Sequence, residues 1–328
     1  MTPLYTQKTG IIVKYQNGSF CRFVFHKIII LLTTLLISLL INNISMANDD
    51  RSAGLIATFD FAIAETLTAI GHPPRFLAGL EGYETYSRKE GIIPNTTDLG
   101  HRHLPNLELL ASLPPKYILI SPPAHVSLIP QLREIAEVKE YPFYSYSSGN
   151  NVQSHWEALE DMTRQLGSLV NDYVASEHYL EQVNNHFENL QAELNNTDSP
   201  VLLVRLIDES HARIYGKGSV EGMVLNRFAL QNAWQGNLDK WGRATVSATS
   251  LFEINATLIF LDSPYDPVGG QEKLITDGQW RYLPNVRQGN YAIISVNYWQ
   301  WGGFPSALRL AESLVEALES RAPPNTAG

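Results

Sequence analysis

The chain has 328 residues, of which 44% are hydrophobic and 17% charged, with no low-complexity tract, so it is long enough for two ordinary globular domains. Its formal charge is −9, which argues against nucleic acid or an anionic membrane as partner of the whole surface, while leaving room for a locally basic cleft. Its one cysteine, Cys21, excludes a disulfide framework.

Residues 1–47 differ from the rest. They carry Lys8, Lys14, Arg22 and Lys27 and no acid, followed by an apolar run over Ile28–Ile41 and then Ser45-Met46-Ala47. A basic segment, an apolar segment and a small-x-small site predict a cleaved signal peptide. The run is short for a membrane span, which needs about 20 residues. Cys21 precedes the run, so it cannot carry a lipid after cleavage. Removal of residues 1–47 leaves 20 basic against 33 acidic residues, a net of −13, and no cysteine. A soluble, exported, periplasmic and monomeric protein is expected.

The remaining chain alternates short apolar segments with amphipathic ones. Strands are predicted over 54–59, 76–80, 117–121 and 141–146. Helices are predicted over 61–70, from Pro105 to before Pro114, over 128–138 and over 153–170, with 82–95 as a loop. Residues 171–195 contain neither Pro nor Gly and repeat apolar residues three or four apart. They predict one helix of roughly 24 residues, about 36 Å long. Beyond it the alternation restarts. Strands are predicted at 201–207, 212–215, 257–261 and 291–296. Helices are predicted from GKGS to Leu225, near 249–254, over 277–282 and over 308–318, and 232–247 is read as a loop.

Such alternation predicts an α/β protein of two lobes, each a mostly parallel sheet flanked by helices, joined by one long helix, with a ligand cleft between the lobes. The expected divisions are an N-terminal lobe over 48–170, the linking helix over 171–195 and a C-terminal lobe over 196–328. In such sheets ligands sit beyond the carboxyl ends of strands, so the loops there carry the candidate residues.

The first candidates are His101, Arg102 and His103, ahead of a helix N-terminus. The guanidinium fork of Arg102 suits an anion with paired oxygens, unless it is paired with a surface acid such as Glu108. His101 and His103, with His125, also admit a zinc or manganese site. Next come the tryptophans. Trp234 and Trp241 lie in NAWQGNLDKW, and Trp299 and Trp301 in NYWQWG, all beside glycines, as rings in ligand-lining loops would be. Arg213, or Arg205 beside it, interrupts an apolar strand and needs an acid or an anionic ligand. Nucleophile-elbow, H-E-x-x-H and phosphate-loop motifs are absent. The run Gly216-Lys217-Gly218-Ser219-Val220-Glu221-Gly222 is one residue too long for a dinucleotide fingerprint. A hydrolase built on Asp98 or Asp208 with a histidine is a remaining alternative.

The segment DLGHRHLPNLELLASLPPKYILI, residues 98–120, resembles the D-x-G-x-x-x-x-P-N-L-E stretch of periplasmic siderophore-binding proteins. NAWQG, with WG five residues on, resembles the ferric-hydroxamate (ferrichrome)-binding subgroup in particular. The resemblance implies two α/β lobes joined by a single helix, no catalysis and no cofactor. It implies that the ligand is an iron(III)–siderophore complex, delivered to an inner-membrane ABC permease for iron uptake. It places ligand contacts on Arg102, Trp241, Trp299 and Trp301, and permease docking on Glu108 and, less directly, Glu253 or Glu221. Where the subgroup has a ligand-touching tyrosine, this chain has Ser121-Pro122-Pro123-Ala124-His125. His125 and Arg213 make the expected cleft more basic, which suggests carboxylates on the ligand besides, or instead of, hydroxamates. Direct capture of zinc, manganese or haem is the rival within the same class of importers.

Overall fold

The computed structural model describes residues 55–87, 95–144, 154–194, 199–264, 266 and 270–320, all within one compact unit, Ser52–Gly328. The expected signal peptide over 1–47 lies outside the described residues.

The N-terminal part is built on strands β1 (Ile56–Thr58), β2 (Phe76–Leu77), β3 (Thr97–Asp98), β4 (Tyr117–Ile120) and β5 (Glu137–Glu140). They form one sheet in the order β3-β2-β1-β4-β5, with every pair parallel. Its helices are α1 (Phe61–Ala69), α2 (Leu80–Ser87), α3 (Leu107–Ser112), α4 (Ile129–Arg133) and α5 (His155–Leu169). The central strands β1 and β4 are apolar because helices cover both faces of a parallel sheet. Asp60 starts α1: its Oδ1 accepts the Ala62 and Ile63 N–H groups at 2.9 and 3.2 Å.

Helix α6 (Tyr173–Glu193) begins at an Asp172 cap and leads to the second sheet. Its strands are β6 (Val201–Leu206), β7 (His211–Tyr215), β8 (Arg243–Ser247), β9 (Thr257–Asp262) and β10 (Tyr291–Ser295), in the order β10-β9-β6-β7-β8. Here the expectation of a mostly parallel sheet needs correction. β10, β9 and β6 are parallel, but β6-β7 and β7-β8 are antiparallel. The four residues between β6 and β7 are too few for the crossover that a parallel pair needs. Flanking helices are α7 (Val220–Arg227), α8 (Thr249–Phe252), α9 (Gly270–Asp277), α10 (Pro284–Arg287) and α11 (Phe304–Glu319).

Further expectations change. The stretch predicted as a loop from 82 begins inside α2. The helix predicted over 128–138 stops at Arg133, and the fifth strand is Glu137–Glu140, not 141–146. That strand is at the sheet edge, where charged side chains reach solvent and the apolar signal is lost. The loop predicted over 232–247 contains β8, another edge strand.

One apolar cluster runs through both lobes. It joins Ile63 and Leu67 of α1, Leu159 and Met162 of α5, Val183 and Phe187 of α6, Val224 of α7, and Leu310 and Leu314 of α11. Two smaller clusters fill the outer faces of the sheets. A fourth lies where the lobes meet, with Phe61, Leu77 and Tyr83 packed on Trp299 and, partly buried, Tyr86 and Trp301.

Candidate functional site

Arg102 stands in the loop between β3 and α3. Asp98 Oδ1 accepts the Gly100 N–H at 3.0 Å, and Gly100 turns with φ +82°. The Arg102 guanidinium lies 5.0 Å from the Phe61 ring centroid and 4.8 Å from that of Trp299. Cation–π contacts of this kind hold the guanidinium against two adjoining rings and leave its terminal N–H donors for an anion. Among the described residues no acid pairs with Arg102, and its Nε is buried without a partner. The alternative pairing with Glu108 does not form; Glu108 is exposed in the first turn of α3.

His125 supports this loop from behind. Its backbone is left-handed, with φ +64°, and its Nε2–H donates to the Arg102 carbonyl at 2.8 Å. The ring meets Phe59 edge-on at 5.4 Å. Burial pushes its pKa below the usual value, which keeps the imidazole neutral. His101 and His103 are exposed, with ring centroids 5.6 Å apart. Among the described residues no group of three or more His, Cys, Asp or Glu side chains is placed to hold a metal ion.

Trp299 and Trp301 follow β10, and their ring centroids are 5.0 Å apart. Trp299 is buried against Phe61 and Tyr86, each at 5.0 Å, while Trp301 stays half exposed. Their loop is fixed by a carboxylate from the other lobe. Glu65 of α1 accepts the Gly303 N–H at 2.6 Å through Oε1, and Ser306 Oγ and Arg309 Nη2 at 2.8 Å each through Oε2. Ser306 Oγ in turn accepts the Trp299 N–H at 3.0 Å. Burial raises the Glu65 pKa against the pull of Arg309.

Trp241 and Arg243 reach the site from the start of β8. Asp239 Oδ1 accepts both their backbone N–H groups, at 2.8 and 2.9 Å. Gly242 between them has φ +69°, and a Cβ there would lie 2.4 Å from the Ser219 backbone nitrogen, so the turn presses on the 217–219 loop as only glycine can. The result aims Trp241 edge-on at Tyr144, 5.7 Å away, and puts the Arg243 guanidinium 5.0 Å from the Trp301 centroid.

Tyr144 and Arg243 were not among the candidates. Tyr144 Oη lies 2.7 Å from the Trp301 carbonyl and 3.2 Å from Asp60 Oδ2, which Ser121 Oγ also approaches. Burial raises its pKa well above the usual value, so it is a neutral donor. Tyr144 lies just after β5, inside the stretch predicted as the strand 141–146.

The two interior arginines separate. Arg205 meets an acid: its Nε and Nη2 lie 2.8 and 2.5 Å from Asp266 Oδ1. Arg213, directly opposite on β7 and half buried, has no acidic partner among the described residues.

Glu221, a docking alternative, is wholly buried on α7 and accepts from Tyr298 Oη at 2.9 Å, so it cannot reach a partner. Glu253 is exposed at the end of α8. The glycines of the 216–222 run serve packing, since a Cβ on Gly222 would fall 2.0 Å from the Gly216 carbonyl oxygen. Asp208 is tied up in the β6-β7 turn, where hydrogen bonds from Ser210 bring its carboxyl down to about 2.

A stacked arginine and aromatic rings from two α/β lobes come together where the lobes meet. The chain belongs to the periplasmic binding protein family, whose pattern its residues 56–296 match. It is 25% identical over 268 residues to the iron(3+)-hydroxamate-binding protein FhuD of Escherichia coli K12, covering 81% of this chain and 88% of that protein. Its fold is shared with FhuD of Vibrio cholerae, solved with Fe3+–Desferal, at a TM-score of 0.73 and 23% identity, over 82% of this chain and 98% of the other. It is also shared with Staphylococcus aureus FhuD2 bound to ferrioxamine B, at a TM-score of 0.61 and 16% identity, over 80% and 97% of the two chains.

Proposed function

We propose that the chain captures a ferric siderophore in the periplasm, after removal of residues 1–47, and hands it to an inner-membrane ABC permease. The observation that carries this reading is Arg102, packed against the Phe61 and Trp299 rings with no acidic partner among the described residues. A hydroxamate-wrapped iron presents negatively polarised oxygens to those donors and an apolar rim to Trp241, Trp299 and Trp301. The siderophore saturates the iron, so no protein ligand is required. Relatives named for iron(3+)-hydroxamate, Desferal and ferrioxamine B support the same ligand class. Direct capture of zinc or manganese by His101, His103 and His125 is less well supported, because His125 gives its Nε2–H to the Arg102 carbonyl.

Titration of the protein with ferric trihydroxamates, followed by tryptophan fluorescence, tests this directly. The iron chromophore beside Trp241, Trp299 and Trp301 should quench saturably. Arg102→Ala should weaken binding about a hundredfold, as loss of two charge-assisted hydrogen bonds implies, with the circular dichroism spectrum unchanged. Retained affinity in that variant would remove Arg102 from the site.

Glu108 and Glu253, exposed on opposite lobes, are the proposed contacts to the permease. Charge reversal at either should abolish siderophore-dependent stimulation of the permease ATPase while siderophore affinity persists.

A further inference from the structure

The site has a second stacked arginine. Arg102 from one lobe lies on Trp299 and Arg243 from the other lies on Trp301, and the two rings are 5.0 Å apart. Both arginines have a buried Nε without a partner. Arg243 Nη2 lies 3.5 Å from Oδ2 of Asp239, the Oδ1 of which accepts two backbone N–H groups, and the buried Glu221 also acts on Arg243.

Strand register adds a third cation. β7 and β8 pair Tyr215 with Arg243 and Arg213 with Thr245, so Arg213, Tyr215 and Arg243 share one face of the sheet, with Arg213 diagonal to Arg243. That face looks toward the loop after β10, since Gln300 Nε2 donates to Tyr215 Oη at 2.8 Å. Two like charges at diagonal positions on one face repel, and each residue is half buried. Asp266 relieves Arg205 on the next strand, but nothing comparable relieves Arg213 among the described residues. Glu221, which acts on Arg243, accepts from Tyr298 Oη through Oε1.

We infer that Arg213 and Arg243 form an anion subsite for a carboxylate arm of the ferric chelate, so that this chain takes carboxylate-bearing, net anionic ferric siderophores in preference to neutral or cationic ones. The inference rests on the ferric-siderophore reading above and adds the charge class of the ligand. A carboxylate supplies the paired oxygens that a guanidinium fork binds, and it offsets the mutual repulsion of the two arginines. An ammonium-bearing arm would meet the same cations unfavourably.

Three probes with one iron centre separate the possibilities. They are the ferric complex of desferrioxamine B with its terminal amine free, the N-acetylated complex and the N-succinylated complex, whose arms end in a cation, a neutral amide and a carboxylate. Tryptophan quenching should give the tightest binding for the succinylated complex and the weakest for the free amine, a span of about tenfold or more at low salt that narrows as salt is added. In Arg213→Gln and Arg243→Gln the succinyl-to-acetyl affinity ratio should fall toward one. Equal affinity for the succinylated and acetylated complexes in the unaltered protein would overturn the subsite and leave ferric siderophore capture standing. A ratio preserved in both variants would equally overturn it. Absence of quenching by all three would sink the siderophore reading itself, and the subsite with it.

Discussion

Glu221 sits in surroundings far from those a carboxyl prefers. It is fully buried, its Oε2 has no partner, and burial lifts its pKa from 4.5 to about 7. The folded state therefore holds a proton that the unfolded chain releases. Its stabilising contribution is complete below about pH 4.5 and is lost as pH rises through about 7. At roughly 1.4 kcal/mol per unit, the loss is on the order of 3 kcal/mol. Glu221→Gln, neutral at every pH, should flatten this dependence. Melting curves should show a clear gain over the unaltered protein at pH 8 and little difference at pH 4.5. An equal shift at both pH values would show that the carboxyl does not titrate in this window. Arg102, Trp299 and Trp301 could be picked out in the sequence as an arginine and tryptophans in loops beside glycines, and the structure brings them into contact. Tyr144 and Arg243 could not, since their roles depend on which strand ends beside them.

At the level of elements, the outcome followed burial. Buried parallel strands such as Tyr117–Ile120 and Thr257–Asp262 announce themselves as apolar runs. The edge strands Glu137–Glu140 and Arg243–Ser247 do not, because one side of each meets water. The junction of α1 and α11 was equally hidden, although an acid inside the apolar segment FAIAETLTA is a local signal that something must meet it. Glu65 and Arg309 are nearly withdrawn from solvent, with side-chain exposures of 4% and 16%. Removing one member of such a pair leaves the other charge unanswered and costs about 3–5 kcal/mol. Arg309→Met should lower the urea midpoint accordingly, and the deficit should shrink at pH 5, where the orphaned Glu65 can take up a proton. A midpoint unchanged at neutral pH would show that the pair contributes nothing net.

Across the whole molecule, the two-lobed α/β architecture and the single connecting helix were legible from the restart of strand–helix alternation after residue 195. The mixed sheet of the second lobe was not, because strand direction is set by connection length and pairing partner, which periodicity does not carry. The lobes are also less separate than their sheets suggest. Helices α1, α5, α6, α7 and α11 share one apolar cluster, and Glu65 completes the start of α11 from across the boundary. A permease that docks as proposed, on Glu108 and Glu253, would therefore tell loaded from empty protein by small shifts of these residues, without a wide hinge opening.

The shared cluster also bears on how the chain acquires its structure. Neither half can bury the inward faces of α1 and α11 by itself, so neither is a cooperative unit. Scanning calorimetry of the intact protein should show a single endotherm whose calorimetric and van't Hoff enthalpies agree; two resolved endotherms would mean independent lobes. Expressed apart from its companion, residues 196–328 would present the apolar face of α11 to water and aggregate. A chain divided in topology would then melt as one.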